Sequence, residues 1–106
     1  MLFLGTAAAE CCPNPFCSCD FCERIRNSTD SRERRRRSAL LLDQENLIDF
    51  GPDALSAAAL FGIDLSHLKN IFITHIHEDH FYYFGLGFLY MSRTTPPVPT
   101  LYMTPD

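Results

Sequence analysis

The stretch Thr74-His75-Ile76-His77-Glu78-Asp79-His80 constrains this chain more than any other. Three of the four histidines fall within six residues here, with two carboxylates between them. Directly before it, Asn70-Ile71-Phe72-Ile73-Thr74 is a β-branched and aromatic run of the kind that forms a buried strand. A strand that ends and at once delivers imidazoles and carboxylates puts them at its carboxyl edge, where open α/β sheets place their sites. A bland surface cluster of histidines would have no reason to follow a buried strand. These are the side chains that first-row divalent metals accept at neutral pH, so His75, His77, Asp79 and His80 are candidate metal ligands.

Spacing adds detail. While the chain stays extended, His75 and His77 point the same way, because strand residues alternate faces. Asp79 and His80 are adjacent and cannot both keep that direction. They suit a chain turning into a helix whose N-terminal end favours Asp79. Two pairs of ligands aimed at two neighbouring points imply two cations.

The length of 106 residues allows one small domain. With 46% hydrophobic residues, nine Phe and four Tyr, there is material for a core. The net charge of −4 argues against a protein that coats nucleic acid. The longest apolar stretch, Phe81 to Met91, is too short to span a membrane. Met1 to Ala9 lacks the basic start of an export leader, so the expected location is cytoplasmic. Five cysteines crowd between Cys11 and Cys22 and none follows, whereas a disulfide framework would tie distant parts of the chain. Cys17-x-Cys19-x-x-Cys22 therefore reads as a thiol metal site. Cys11 and Cys12 fall outside that spacing, and either could act as a makeshift fourth ligand.

Along the chain, Leu2 to Gly5 reads as a first strand and Thr6 to Phe16, with Pro13 and Pro15, as a loop. The cysteine knot leads toward a short helix. Ser38 to Leu42 and Asn46 to Asp49 read as two strands joined by an Asp43-Gln44-Glu45 turn. Asp53 to Phe61 reads as a helix stopped by Gly62. Asp79 to Met91 reads as a buried helix, apolar nearly all round. Thr95 to Pro99 cannot be helical, and Thr100 to Met103 would be one more strand. Arg32 to Arg37 is by default a solvated charge run, with contact to a phosphate-rich substrate as the sharper alternative. His67 reads as structural or solvated, Phe81 to Phe84 as core, and Asp43, Glu45, Asp53 and Asp64 as turn and cap residues.

These residues carry a resemblance. His75-Ile76-His77-Glu78-Asp79-His80 matches the H-x-H-x-D-H signature of the metallo-β-lactamase superfamily. Leu47-Ile48-Asp49-Phe50-Gly51 resembles its earlier strand ending in Asp, and Phe3-Leu4-Gly5-Thr6 looks like its opening. Within the superfamily, the cysteine knot followed by Glu23-Arg24 is similar to phosphoribosyl cyclic phosphate phosphodiesterases. Ribonuclease Z shares the metal motif and lacks the knot.

The resemblance implies an α/β (α+β) fold, the N-terminal half of an αββα sandwich. Residues 1–106 would form the N-terminal part of a single domain, truncated at its C-terminus. His75 and His77 would hold one active-site metal, Zn or Mn, and Asp79 and His80 the second, with Asp79 orienting the nucleophilic water. Asp49 would orient the ligand loop without binding metal. Cys17, Cys19 and Cys22 would hold a structural zinc whose fourth ligand lies in the family's second half. The implied function is a metal-dependent hydrolase, a phosphodiesterase using a metal-activated water on a small (cyclic) phosphodiester. The alternatives are a non-catalytic metal-binding fragment and ribonuclease Z-like RNA processing. An apolar helix without its cover also predicts self-association, as a homodimer or through exposed core.

Overall fold

The computed structural model describes residues 1–92 and 98–105. In chain order they form β1 (Leu2–Gly5), α1 (Asp20–Arg26), a single 3-10 turn (Ser31–Glu33), β2 (Ala39–Leu41), β3 (Asn46–Ile48), α2 (Asp53–Phe61), β4 (Asn70–Phe72), α3 (Tyr83–Ser92) and β5 (Thr100–Tyr102). The expectation for Thr95, Pro96 and Pro97 lies outside the described residues.

The strands make one sheet in the order β1-β2-β3-β4-β5. β1, β2 and β3 pair antiparallel, and β3, β4 and β5 pair parallel. The β2–β3 hairpin closes through Leu42 N–H to the Asn46 carbonyl at 2.9 Å. Its turn is held by Asp43, which accepts from the Glu45 backbone N–H and the Asn46 amide. Gly5 allows β1 to lie against the arginine segment, because a Cβ there would sit 1.9 Å from the Arg37 carbonyl oxygen.

Strand alternation sorts the two faces of the sheet. Leu4, Ala39, Leu47 and Ile71 are buried on one face, where they pack with Ala54 and Ala57 of α2 and Leu86 of α3. Phe50, Leu47, Leu68 and Ile71 are the largest fully buried side chains. Each such side chain stabilises the fold by ~1.5–3 kcal/mol relative to exposure. The other face carries Phe3, Leu40, Ile48, Phe72 and Tyr102, which stand opposite one another strand by strand. This apolar row crosses all five strands. Phe3 is 59% exposed, Phe72 38% and Tyr102 47%, and the Phe72 and Tyr102 rings stack with centroids 4.9 Å apart.

α2 runs over the expected residues and ends at Gly62, which adopts a left-handed φ of 63°. The Gly62 and Ile63 N–H groups both donate to the Ala58 carbonyl there. α3 starts later than expected, at Tyr83 instead of Asp79. Competition for backbone hydrogen bonds explains the difference. Phe50 N–H donates to the His80 carbonyl at 2.8 Å and Tyr82 N–H to the Phe50 carbonyl at 2.6 Å, so residues 80–82 pair with Phe50, two residues beyond β3, and cannot wind. Asp79 therefore lies in a turn ahead of the helix.

Candidate metal centres

The histidine loop is built where β3 and β4 end side by side. β3 stops because Asp49 takes a left-handed φ of 61°, a conformation Asp tolerates better than most residues. That turn leaves Asp49 only 5% exposed and directs its carboxylate into the loop after β4. Oδ1 accepts the Thr74 backbone N–H at 2.8 Å. The Thr74 hydroxyl lies 2.9 Å from each Asp49 oxygen. His80 Nδ1 is 2.6 Å from Asp49 Oδ2.

These contacts assign protons to two imidazoles. Asp49 accepts, so His80 carries a proton on Nδ1, and Nε2 is the nitrogen left for a metal. The Thr74 hydroxyl donates its single proton to Asp49, so its oxygen accepts from His75 Nδ1, 3.0 Å away. In His75, too, Nε2 is the nitrogen left for a metal. His80 Nε2 in turn faces Asp79 Oδ2 at 3.1 Å. A lone pair and a carboxylate oxygen repel at that separation unless a proton or cation lies between them. The donor set thus fits a divalent cation, with ligating histidines whose other nitrogen is held by a neighbour.

His75, Asp79 and His80 each offer a ligand atom within 4.8 Å of the others. His77 is outside that group, although its ring stands edge-on to His75 with centroids 4.8 Å apart. The structure therefore departs from the pairing of His75 with His77 that strand alternation suggests. β4 ends at Phe72 and the chain bends at Thr74, so the period of two does not reach the histidines. Gly51 is the other part of this site. A Cβ there would lie 2.0 Å from the Asp79 carbonyl oxygen, so the β3–α2 turn rests directly on the backbone of this candidate ligand. The sequence gives neither Thr74 nor Gly51 a part in the site. The available signals were a hydroxyl next to the first histidine and a glycine two residues after Asp49.

The cysteine knot is separate. Cys17, Cys19 and Cys22 place their sulfurs within 4.8 Å of one another. Cys19 precedes α1 and Cys22 is buried in its first turn. Arg26 reaches back from the last turn to the Asn14 and Cys17 carbonyls and holds the loop closed. The Cys19 thiol is pushed down, first by the Cys22 backbone N–H and then by the Cys17 and Cys22 thiols. At Cys22 the Asn14 backbone N–H pulls down, but burial and the neighbouring thiols outweigh it and the net shift is up. All five cysteines are free thiols.

The arginine run is committed internally. Arg32 pairs with Asp30, holding that carboxyl down to about 2. Arg34 donates to the Arg26 and Ser28 carbonyls, and Arg35 to the Cys12 sulfur. Arg36 lies over the Phe61 ring, and Arg37 pairs with Asp53 at 2.9 Å. Asp53 thus serves as an ion-pair partner for Arg37. Glu45 pairs with Lys69 at 2.6 Å, and exposed His67 lies 3.5 Å from Asp64. No helix among the described residues is long and apolar enough to cross a membrane.

Comparison with known proteins gives this geometry a family. Residues 29–105 match the family described as anti-Pycsar protein Apyc1. The chain is 31% identical, with a TM-score of 0.62, to a crystal structure of a diphosphatase from the PhnP family, over 82% of this chain and 32% of that one. It is 27% identical, with a TM-score of 0.67, to Zn2+-bound PqqB from Methylobacterium extorquens, over 97% of this chain and 36% of that one. Both are metallo-β-lactamase-fold proteins, and the sheet and helices described above have that fold. The chain spans about a third of the length of these solved structures. No curated protein matches it.

Proposed function

The chain belongs to the anti-Pycsar Apyc1 family, and from that premise we propose that its histidine loop is part of a metal-dependent hydrolase centre acting on a small phosphodiester, linear or cyclic. The observation that carries this reading is the facing pair of His80 Nε2 and Asp79 Oδ2 at 3.1 Å, with the far nitrogen of His80 fixed on Asp49. His75, His77, Asp79 and His80 would hold two divalent cations, zinc or manganese. Such cations supply Lewis acidity toward phosphoryl oxygens and lower the pKa of a coordinated water. Asp79 would accept a hydrogen bond from that water and orient it. Asp49 and Thr74 keep the Nδ1 protons of His80 and His75 in place, leaving Nε2 of each free to ligate. Cys17, Cys19 and Cys22 would hold a structural zinc apart from the chemistry. The phosphodiester class is supported by the similarity to a PhnP-family diphosphatase together with the cysteine knot.

The test is hydrolysis of bis(p-nitrophenyl) phosphate with added zinc or manganese, comparing the chain with Asp79→Ala. Turnover should fall to background in the variant. Equal rates for the two would remove the proposal. A second reading rests on the ligand count. Four side chains for two cations are fewer than closed sites use, so this chain could bind metal without turning substrate over. Metal analysis showing bound zinc at the histidines, with no hydrolysis, would select it.

A further inference from the structure

We propose that Cys19 and Cys22 form a reversible oxidation site, in which Cys19 reduces a hydroperoxide and Cys22 closes the product as a disulfide within the chain. Two of the three sulfurs read as a structural zinc site are used. The disulfide is thus a second state of the same cluster, and it excludes the metal.

Cys17, Cys19 and Cys22 keep their sulfurs within 4.8 Å of one another, and all three are free thiols. Exposure grades them. Cys19 is exposed, Cys17 is half-buried and Cys22 is buried. A peroxide dissolved in water therefore meets Cys19 first, because thiol oxidation follows access. Cys22, only 5% exposed, is shielded from the same attack, yet its sulfur stays within reach of Cys19. An accessible thiol beside a sheltered one lets the first oxidation product be trapped before it is oxidised further.

Backbone placement selects Cys22 over Cys17 as the partner. Cys19 is the extended residue directly before α1, with ψ of 162°, and Cys22 is the third residue of the helix. A side chain at the first of these positions folds back over the other. The two sulfurs can therefore close by rotation about side-chain bonds, with the helix unchanged. Cys17 is held elsewhere. Its N–H donates to the Asn14 carbonyl at 3.1 Å, and its own carbonyl accepts from Arg26 in the last turn of α1. The other two cysteines lie outside the cluster. The Cys11 sulfur is 3.7 Å from Asp53 Oδ2, and the Cys12 sulfur is 3.7 Å from Arg35 Nη2.

In the first step the Cys19 sulfur bonds to one peroxide oxygen while the O–O bond breaks, giving a sulfenic acid and one water. The Cys22 sulfur then bonds to the Cys19 sulfur and the S–O bond breaks. Hydroxide leaves and takes up the Cys22 proton as a second water. The two thiols lose two electrons and two protons, and the peroxide is reduced to water. An added dithiol restores both thiols by exchange. While the bridge stands, Cys17 is the one thiol left in the cluster, too few to hold zinc.

The experiment treats the metal-free chain with equimolar hydrogen peroxide and maps its thiols by alkylation and mass spectrometry. Cleavage ahead of Asp20 separates Cys19 from Cys22, so a bridge between them keeps the two peptides joined until dithiothreitol is added. The wild-type chain should lose two thiols and keep Cys17 open to alkylation. Cys17→Ser should form the same bridge. Cys19→Ser should lose it, and Cys22→Ser should stop at a sulfenic acid on Cys19 that dimedone labels. A bridge that survives in Cys19→Ser, involves Cys17 or joins two chains would overturn the assignment, as would an unbridged wild-type chain. Far-ultraviolet circular dichroism of the reduced variants separates a lost partner from lost folding. The zinc-loaded chain tests the metal reading apart from this one. It should release one zinc for each bridge formed, read with a chromogenic chelator. A bridge in a chain that takes no zinc at these cysteines would remove the zinc site and leave the oxidation site standing. Zinc held there by a chain that never bridges would do the reverse.

Discussion

At the residue scale, Asp49 is the most consequential side chain in the molecule. It is buried, it accepts from Thr74 twice and from His80 once, and its left-handed backbone ends β3. Two substitutions separate these roles. Asp49→Asn keeps the tolerance for positive φ but loses the charge and one acceptor. Asp49→Ala also strains the backbone and leaves buried donors without partners. Asp49→Ala should destabilise the metal-free chain by about 3 kcal/mol in urea titrations, and Asp49→Asn by roughly 1 kcal/mol. Both should weaken metal binding at the histidines. Equal stability for all three proteins would mean that Asp49 is not the hub its contacts describe. The candidate ligands could be picked out here because their chemistry is local. Thr74 was illegible as a functional residue, since nothing about a threonine reveals that its hydroxyl stands between a carboxylate 25 residues away and the next imidazole.

At the scale of elements, β1, α2, β4 and β5 could be read from runs and stop signals, and α2 lies on the residues expected of it. The start of α3 could not. The apolar run, with an acidic residue at its head, extends a helix back to Asp79, but Phe50 claims the backbone of residues 80–82, and that competition is a tertiary event. The same packing explains Gly51, whose missing side chain lets the β3–α2 turn touch the Asp79 carbonyl. Gly51→Ala should therefore destabilise the chain by about 2 kcal/mol, within the range for overpacking a tight contact. It should also lower metal affinity at the histidines while leaving zinc at the cysteines untouched. Isothermal titration with each site singly disabled checks this. Equal weakening at both sites would point to general unfolding instead.

At the scale of the whole molecule, the sheet is covered by helices on one face and carries the apolar row from Phe3 to Tyr102 on the other. Faces of that kind associate. Sedimentation velocity should show self-association that rises with concentration, and Phe72→Lys with Tyr102→Lys should shift the chain toward monomer. A wild-type chain monomeric across the whole range would contradict it.

The sheet's mixed topology has a further consequence, in time. β2 and β3 meet through a short hairpin, whereas the Asp49 contacts to Thr74 and His80 close loops of 25 and 31 residues. Non-local contacts form later than local ones because the entropy of closing the loop must be met first. The cysteine knot spans six residues and the histidine centre depends on the parallel half of the sheet. If both candidate clusters take metal, the thiols of a chain emerging unfolded become competent to do so before the imidazoles. The order in which the two clusters assemble is thus written into the connectivity of the strands.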